Sequence, residues 1–146
     1  MALSKCISGK STIRRLLSSY AQPLADDIVY LVRENAKEYT VAKVDCNGRL
    51  VPEEAVLSHE RVPLIAVFRL HQVQQPRLER TGRPETCRHL MRALFEIGLK
   101  YDVEARKRAF SQVAAIARRT LGYCLHFDQS VQTAEMIREE IQRVAI

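Results

Sequence analysis

Several residue types are scarce in this chain of 146 residues, and each scarcity argues against a class of protein. Tryptophan is absent and aromatic residues make up only 6% of the chain, which argues against sequence-specific reading of nucleic-acid bases. No apolar run approaches the length that a membrane-spanning helix needs, so we expect no membrane span. The four cysteines lie far apart in a chain without a secretory signal, which predicts a reducing compartment rather than a disulfide framework.

The chain also lacks a complete phosphate-binding loop. Gly9-Lys10-Ser11-Thr12 matches the end of that motif, but Ser4 stands where the motif needs its first glycine. Too few residues precede Ser4 to form the strand that leads into such a loop. We therefore interpret this match as a chance occurrence.

Two Cys-x-His units, Cys87-Arg88-His89 and Cys124-Leu125-His126, contain the ligand types of a tetrahedral zinc site. However, residues two apart on a helix point away from each other, and Cys87 and His89 lie within a predicted helix. We therefore predict buried cysteines, no metal site and no cofactor.

What the chain does contain is a localised excess of positive charge. The net charge is +6, and residues 69–119 hold twelve Arg and Lys against five acidic residues. Arginine outnumbers lysine by 17 to 6. A basic surface of this kind binds phosphate or an acidic partner protein, because the guanidinium fork pairs with oxyanions. A generally arginine-rich composition, with these side chains on a solvated face that binds no partner, explains the charge excess equally well.

The N-terminal residues have the composition of a targeting segment. Residues 1–25 contain four basic residues, five serines and no acid, and Arg14 to Leu17 fit an amphipathic helix. This composition is typical of a mitochondrial transit segment, so we predict a mitochondrial location. An ordinary basic N-terminus, with a cytoplasmic location, is the alternative. We assign residues 1–19 to a basic N-terminal segment.

Alternating helix and strand patterns along the chain predict an α/β fold. Strands are predicted at 40–44, at 64–68 and around Leu78, with the last two arranged as a hairpin. Helices are predicted at 26–37, 52–57, 85–99, 103–121 and 131–146. In the helix from Val103 to Leu121 the apolar stripe comprises Phe110, Val113, Ala114 and Ala117, and Gly122 is the predicted C-terminal cap. Asp128 or Ser130 is the predicted cap of the last helix.

The middle of the chain resembles the thioredoxin-like superfamily. Ala42-Lys43-Val44-Asp45-Cys46 is similar to the strand and acid of that family's central βαβ segment. Val62 to Phe68 is similar to the family's proline and the apolar strand that follows it. Leu78 to Arg83 is similar to the family's last hairpin strand. The resemblance covers residues 20–100 and implies a mixed sheet flanked by helices, with Pro63 in the cis form. Residues 101–146 would then be a helical extension packed on this domain.

The sequence departs from that family at its redox site. Redox members carry Cys-x-x-Cys at a helix N-terminus, whereas this chain has Cys6-Ile7-Ser8-Gly9, which lacks the second cysteine. This argues against a dithiol mechanism, and only Cys6 is left for monothiol chemistry.

These observations predict a non-catalytic structural or assembly subunit that binds other protein subunits. The expected contact residues are the basic residues of the helix that begins at Val103, namely Arg106, Lys107, Arg108, Arg118 and Arg119. The first alternative is an RNA-associated protein that uses the same residues on phosphates. The second alternative is a monothiol oxidoreductase that uses Cys6.

Overall fold

The computed structural model of the protein describes residues 2–4, 9–22, 28–35, 38–42, 61–96 and 102–144. The helices in these residues are α1 (Lys10–Leu17), α2 (Arg83–Glu96), α3 (Val103–Ala117) and α4 (Val131–Val144). The strands are β1 (Ala2–Ser4), β2 (Ile28–Arg33), β3 (Tyr39–Ala42), β4 (Arg61–Pro63), β5 (Ala66–Gln72), β6 (Arg77–Thr81) and β7 (Leu121–Phe127). The predicted α/β class is therefore confirmed.

The strands form two sheets. The first sheet is antiparallel with the order β1-β2-β3-β4, and the second is mixed with the order β5-β7-β6. In the second sheet β7 runs parallel to β5 and antiparallel to β6. Leu64 and Ile65 join β4 to β5: the Leu64 N–H donates to the Tyr39 carbonyl at 2.9 Å, and the Leu121 N–H donates to the Ile65 carbonyl at 3.0 Å. One extended segment thus passes from the first sheet into the second.

The helix predicted over 26–37 is wrong, because the structure has β2 there, paired with β1 on one side and β3 on the other. Ile28, Val29 and Val32 are β-branched and Tyr30 is aromatic, and such residues favour extended backbone. A continuous apolar run also contains helix-like spacings, so periodicity alone does not distinguish a buried strand from a helix. Pairing along both edges of β2 decides the structure of this segment.

The helix predicted over 103–121 is too long. It ends at Ala117, and the chain turns at once into β7, with the Thr120 N–H donating to the Ile116 carbonyl at 2.9 Å. Gly122, predicted as the helix cap, lies inside β7. The segment predicted as a purely helical extension therefore also supplies the central strand of the second sheet.

The predicted hairpin is also rearranged. The strand near Leu78 is confirmed as β6, but β7 lies between it and β5. The Val73 N–H donates to the Phe127 carbonyl at 2.8 Å, so residues 73–76 cross the carboxyl end of β7. The predicted strand 64–68 is displaced to Ala66–Gln72, and its residues are mostly half-buried rather than covered on both faces.

Two apolar clusters hold the helices to the sheets. The first packs α2 and α3 against the first sheet and centres on buried residues that include Leu31, Leu94 and Val113. The second packs α1 and α4 beneath the second sheet, around the fully buried Leu125 and Phe127. None of the described helices is long and apolar enough to cross a membrane.

Pro63 is the last residue of β4 and is in register with Thr40 of β3. The described part of the chain contains no cis peptide bond, so the expectation of a cis Pro63 is wrong. A trans bond suits this position because β4 runs extended along β3 and continues directly towards β5. The predicted strand residues 43–44, the acid Asp45, the helix 52–57 and Cys6 lie outside the described residues.

Candidate functional site

The second sheet has two chemically different faces, because successive strand side chains point to opposite sides. One face is apolar and packs against α1 and α4; its residues include Phe68, Leu70, Leu78, Tyr123, Leu125 and Phe127. The other face is polar. Together with two side chains of α2 it forms what we call the polar cluster: Arg69, His71, Arg77, Glu79, Glu85, His89, Cys124 and His126.

The polar cluster includes a row of three residues near the carboxyl ends of β5 and β7. His71, His126 and Arg77 are register partners on the three neighbouring strands. The two imidazole rings stack, with their centroids 5.3 Å apart and their planes inclined by 20°. The Arg77 guanidinium lies 3.4 Å from Nε2 of His126. Strand register thus brings together two imidazoles and a guanidinium that are distant in sequence.

Residues of α2 meet the next row at Arg69. The Arg69 guanidinium lies 3.0 Å from Nε2 of His89 and 3.9 Å from the Glu85 carboxylate. Nε2 of His89 is 2.7 Å from the same carboxylate, which Arg88 also contacts. Helix α2 therefore adds one imidazole and one carboxylate to the cluster.

A glycine allows α2 to approach this face. A Cβ placed on Gly122 would lie 1.9 Å from Oγ1 of Thr86 and 2.5 Å from Oγ1 of Thr81. The two threonine hydroxyls are instead 3.0 Å apart, and Thr86 also donates to the Gly82 carbonyl at 3.1 Å. The missing side chain at Gly122 thus sets the position of α2 and, through it, of Glu85 and His89.

Burial and neighbouring charges shift several pKa values in the polar cluster. Burial, followed by the positive charge of Arg69, lowers the pKa of His71. Burial and Arg69 likewise lower the pKa of His89, against the opposing effect of Glu85. The hydrogen bond from Arg77 lowers the pKa of Glu79. At neutral pH the site therefore combines neutral imidazoles at His71 and His89 with ionised guanidinium and carboxylate groups.

The geometry does not suit a cysteine nucleophile. Sγ of Cys124 lies 3.5 Å from Nε2 of His126, and the Glu79 carboxylate lies 3.5 Å from that same nitrogen. A nucleophilic triad needs the base and its orienting carboxylate on opposite ring nitrogens. Burial also raises the pKa of Cys124, which keeps the thiol protonated.

The four candidate zinc ligands considered from the sequence do not converge. Cys87 packs against the apolar cluster of α2 and α3, whereas Cys124 and His126 lie on β7. Cys87 and Cys124 are half-buried rather than buried as predicted. His89 contacts Arg69 and the Glu85 carboxylate instead. Within the residues that the structure describes, no group of three or more metal-binding side chains is present.

The five basic residues predicted as a contact surface are all exposed, but they form two groups. Arg106, Lys107 and Arg108 lie in the first two turns of α3, whereas Arg118 and Arg119 follow its last turn. The axial rise of a helix separates the two groups by about 15 Å. Nζ of Lys107 is also paired with Glu104 at 2.8 Å. The structure therefore does not form a continuous basic patch from these residues.

Phe110 was predicted to face the core, and this is wrong. It is 56% exposed, and Val103, two turns earlier, is 64% exposed. The buried stripe of α3 instead comprises Ala109, Val113, Ile116 and Ala117. The small residues of this stripe let α3 pack closely on α2. With this stripe facing the core, Phe110 lies on the exposed side of the helix. Val103, Arg106, Lys107 and Phe110 thus form an exposed basic and apolar surface, which we call the α3 surface.

Gly9, within the incomplete phosphate-loop match, has a structural role. Its φ of 109° lies in the left-handed region, and α1 begins at the next residue. A Cβ at Gly9 would lie 2.4 Å from the Phe127 ring. A strand, β1, does precede this match, contrary to the expectation from the sequence. Backbone conformation and close packing nevertheless explain a glycine here without a phosphate.

From the sequence, His89, Cys124 and His126 are candidates only as zinc ligands, and no role is predicted for Arg69, His71, Arg77 and Glu79. The missed signal is the alternation in 121–127, where apolar residues occupy the odd positions and glycine, cysteine and histidine the even ones. Such alternation is typical of a strand with one apolar face.

Comparisons of the chain with known protein families, curated proteins and solved structures found no match.

Proposed function

We propose that this protein is a non-catalytic structural or assembly subunit that binds an acidic partner protein through the α3 surface. The observation that carries the proposal is the exposure of Phe110 beside basic side chains on α3. The expected partner surface combines an apolar pocket with surrounding carboxylates.

The α3 surface has the anatomy of a protein interface. Interfaces commonly place an aromatic anchor at their centre and charged residues at their rim. Phe110 and Val103 are seven residues apart on one side of α3, and Lys107 lies between them. Arg106 adds a second cation whose charge would steer an acidic partner and limit wrong ones.

RNA binding through α3 is the alternative, and two features favour a protein partner over it. The basic residues fall into two separated groups, so they offer no continuous track for a phosphate backbone. Val103 and Phe110 add apolar area that phosphate contacts do not need. An RNA partner is therefore treated as an outcome of the test.

The non-catalytic part of the proposal is supported by the arrangement around Cys124, where the thiol and the Glu79 carboxylate meet the same nitrogen of His126. Monothiol activity at Cys6 stays a second alternative, and a Cys6→Ser variant that loses a thiol-exchange activity of the wild type would favour it.

The thioredoxin-like relationship stays a prediction: the order of β6, Gly82 and α2 supports it, whereas the trans Pro63 and the position of β7 between β5 and β6 do not. A mitochondrial location also stays a prediction, to be checked by fractionating the source cells.

The proposal is tested by isolating the tagged full chain from its source cells and quantifying the proteins retained with it. The test variant is Phe110→Ser, and the matched control is Val131→Ser, because Val131 on α4 is 63% exposed. We expect the wild type and Val131→Ser to retain the same partner, and Phe110→Ser to retain about tenfold less of it. A parallel nuclease treatment should leave the partner bound.

Two outcomes would overturn the proposal. Equal retention by Phe110→Ser and Val131→Ser would show that the α3 surface is not the interface. Release of the partner by nuclease, together with binding that weakens steeply with salt, would establish the RNA alternative.

A further inference from the structure

We propose that the His71–His126–Arg77 row binds a small tetrahedral oxyanion, such as the phosphate group of a phosphomonoester. This site lies on the second sheet and is separate from the α3 surface. It requires neither the partner nor the function proposed above.

The row lies where parallel strands usually bind ligands. His71 is the second-last residue of β5, and His126 is the second-last residue of β7. Ligands of α/β sheets bind beyond the carboxyl ends of such strands. The hydrogen bond between α2 and β5 joins His89 to Arg69, which lies two residues before His71 on the same face of the strand. Helix α2 is thus fixed at the other end of the face, near Gly122.

The two imidazoles of the row have few close protein partners, whereas Nε of Arg77 donates to the Glu79 carboxylate at 2.7 Å. The His71 imidazole stacks on the His126 ring, and its nitrogens make no hydrogen bond to another described residue. Nε2 of His126 meets Arg77, Cys124 and Glu79 only at 3.4–3.5 Å, which is long for a hydrogen bond. Each imidazole thus has hydrogen-bonding capacity that an oxyanion would use better.

The charges that face the row explain why the ligand would be an anion. The charged groups are Arg69 on β5, Arg77 and Glu79 on β6, and Glu85 and Arg88 on α2. The uncharged groups are Cys124 on β7 and His89 on α2. Two glutamates already face three arginines, so a proton on the His71 imidazole adds positive charge that no further carboxylate of this cluster balances. An oxyanion between them would supply that balance.

Binding and protonation are therefore coupled. In the empty site, burial and Arg69 hold the pKa of His71 below its usual value of 6.5. A bound oxyanion favours the imidazolium and raises that pKa, so by linkage the affinity rises as pH falls. The site would be occupied in mildly acidic solution and released in mildly alkaline solution.

The probe is inorganic sulfate, because its charge stays constant across this pH range whereas phosphate groups titrate within it. Imidazole resonances of the four histidines would be followed by NMR in the full chain. We expect saturable shifts at His71 and His126 at about pH 6, and affinity about tenfold weaker at about pH 8. Methyl phosphate should compete with sulfate, as the proposed phosphomonoester requires.

The test variants are His126→Gln and Arg77→Gln, and each should weaken sulfate binding by about tenfold. Arg138→Gln is the matched control, because Arg138 is an exposed arginine of α4 that stacks on the Tyr20 ring. Its replacement should leave the affinity for sulfate unchanged. Amide spectra report whether each variant is folded. Arg77 lies on an edge strand with its side chain 58% exposed, so its variant keeps the test valid if His126→Gln unfolds.

Three results would overturn the proposal. They are equal shifts at all four histidines, the same affinity at both pH values, or a loss of affinity in Arg138→Gln that matches the loss in Arg77→Gln. Failure of methyl phosphate to compete would exclude the phosphomonoester.

Discussion

The two faces of the second sheet come from the same three strands but have different roles. The face towards α1 and α4 contains Leu125 and Phe127, which are both 0% exposed. The opposite face contains imidazoles and guanidinium groups that are only half-buried or exposed. Removing apolar area from water is the main favourable term in folding, whereas exposed ion pairs contribute little. One face therefore stabilises the fold, and the other is free to carry binding chemistry.

Truncating one residue on each face gives the largest expected contrast. We expect Leu125→Ala to lower the free energy of unfolding by about 3 kcal/mol, because it removes a fully buried side chain and leaves a cavity. Its neighbour Cys124 points to the polar face, and Cys124→Ala should cost about 1 kcal/mol or less. Urea denaturation of both variants measures the difference. Equal losses would show that the two faces do not divide stability as we propose.

A second contrast compares the stability effects of adding a methyl group at two glycines, Gly122, where α2 packs against the polar face, and Gly82. We expect Gly122→Ala to destabilise the protein by about 2 kcal/mol, because its Cβ would overlap Thr86 and force α2 away. Gly82→Ala is the control: the nearest atom to its Cβ is Cδ of Pro84 at 3.7 Å, so its effect should stay within about 0.5 kcal/mol. Thermal or urea unfolding compares the two. A Gly122→Ala variant as stable as Gly82→Ala would contradict the close packing of α2.

The smallest expected effect is a pH dependence confined to the polar face. The pKa of His71 and that of His89 are lowered in the folded protein, so the unfolded chain binds more protons just below pH 6.5. The contribution of these two histidines to the free energy of unfolding is present above pH 6.5. It is lost as the pH falls through their folded-state pKa values. We expect His71→Gln to reduce this slope, and Leu125→Ala to lower stability equally at each pH.

The measurement is the urea midpoint between about pH 5.5 and about pH 7.5, where carboxylates contribute little. A wild-type midpoint that stays constant over this range, or an unchanged slope in His71→Gln, would contradict the proposed electrostatics.

Local signals predicted several elements well. The amphipathic pattern at Arg14 to Leu17 appears as α1, the pattern opening near Glu85 as α2, and the pattern after Ser130 as α4. Asp128, one of the two residues predicted as the cap of α4, accepts hydrogen bonds from the Ser130 N–H at 2.9 Å and from Oγ1 of Thr133 at 2.9 Å, which form a turn before the helix rather than a bond to a helix N–H. These elements are specified by residues within a few positions of one another, so a window of sequence contains the information.

The candidate site could be predicted only in part. The alternation in 121–127 indicates a strand and puts Cys124 and His126 on one side of it. Nothing local indicates that β7 enters between β5 and β6, because strand pairing depends on residues distant in sequence. The stacking of His71 on His126 follows from that insertion alone.

By itself the sequence determined the α/β class, the helices at α1, α2 and α4, the basic charge of residues 69–119 and the absence of a Cys-x-x-Cys pair. Tertiary structure decided that Ile28–Arg33 is a strand, that Phe110 is exposed and that the polar cluster exists. The reason is physical: propensity and periodicity act over a few residues, whereas strand order and helix phase are chosen by which distant surfaces pack together.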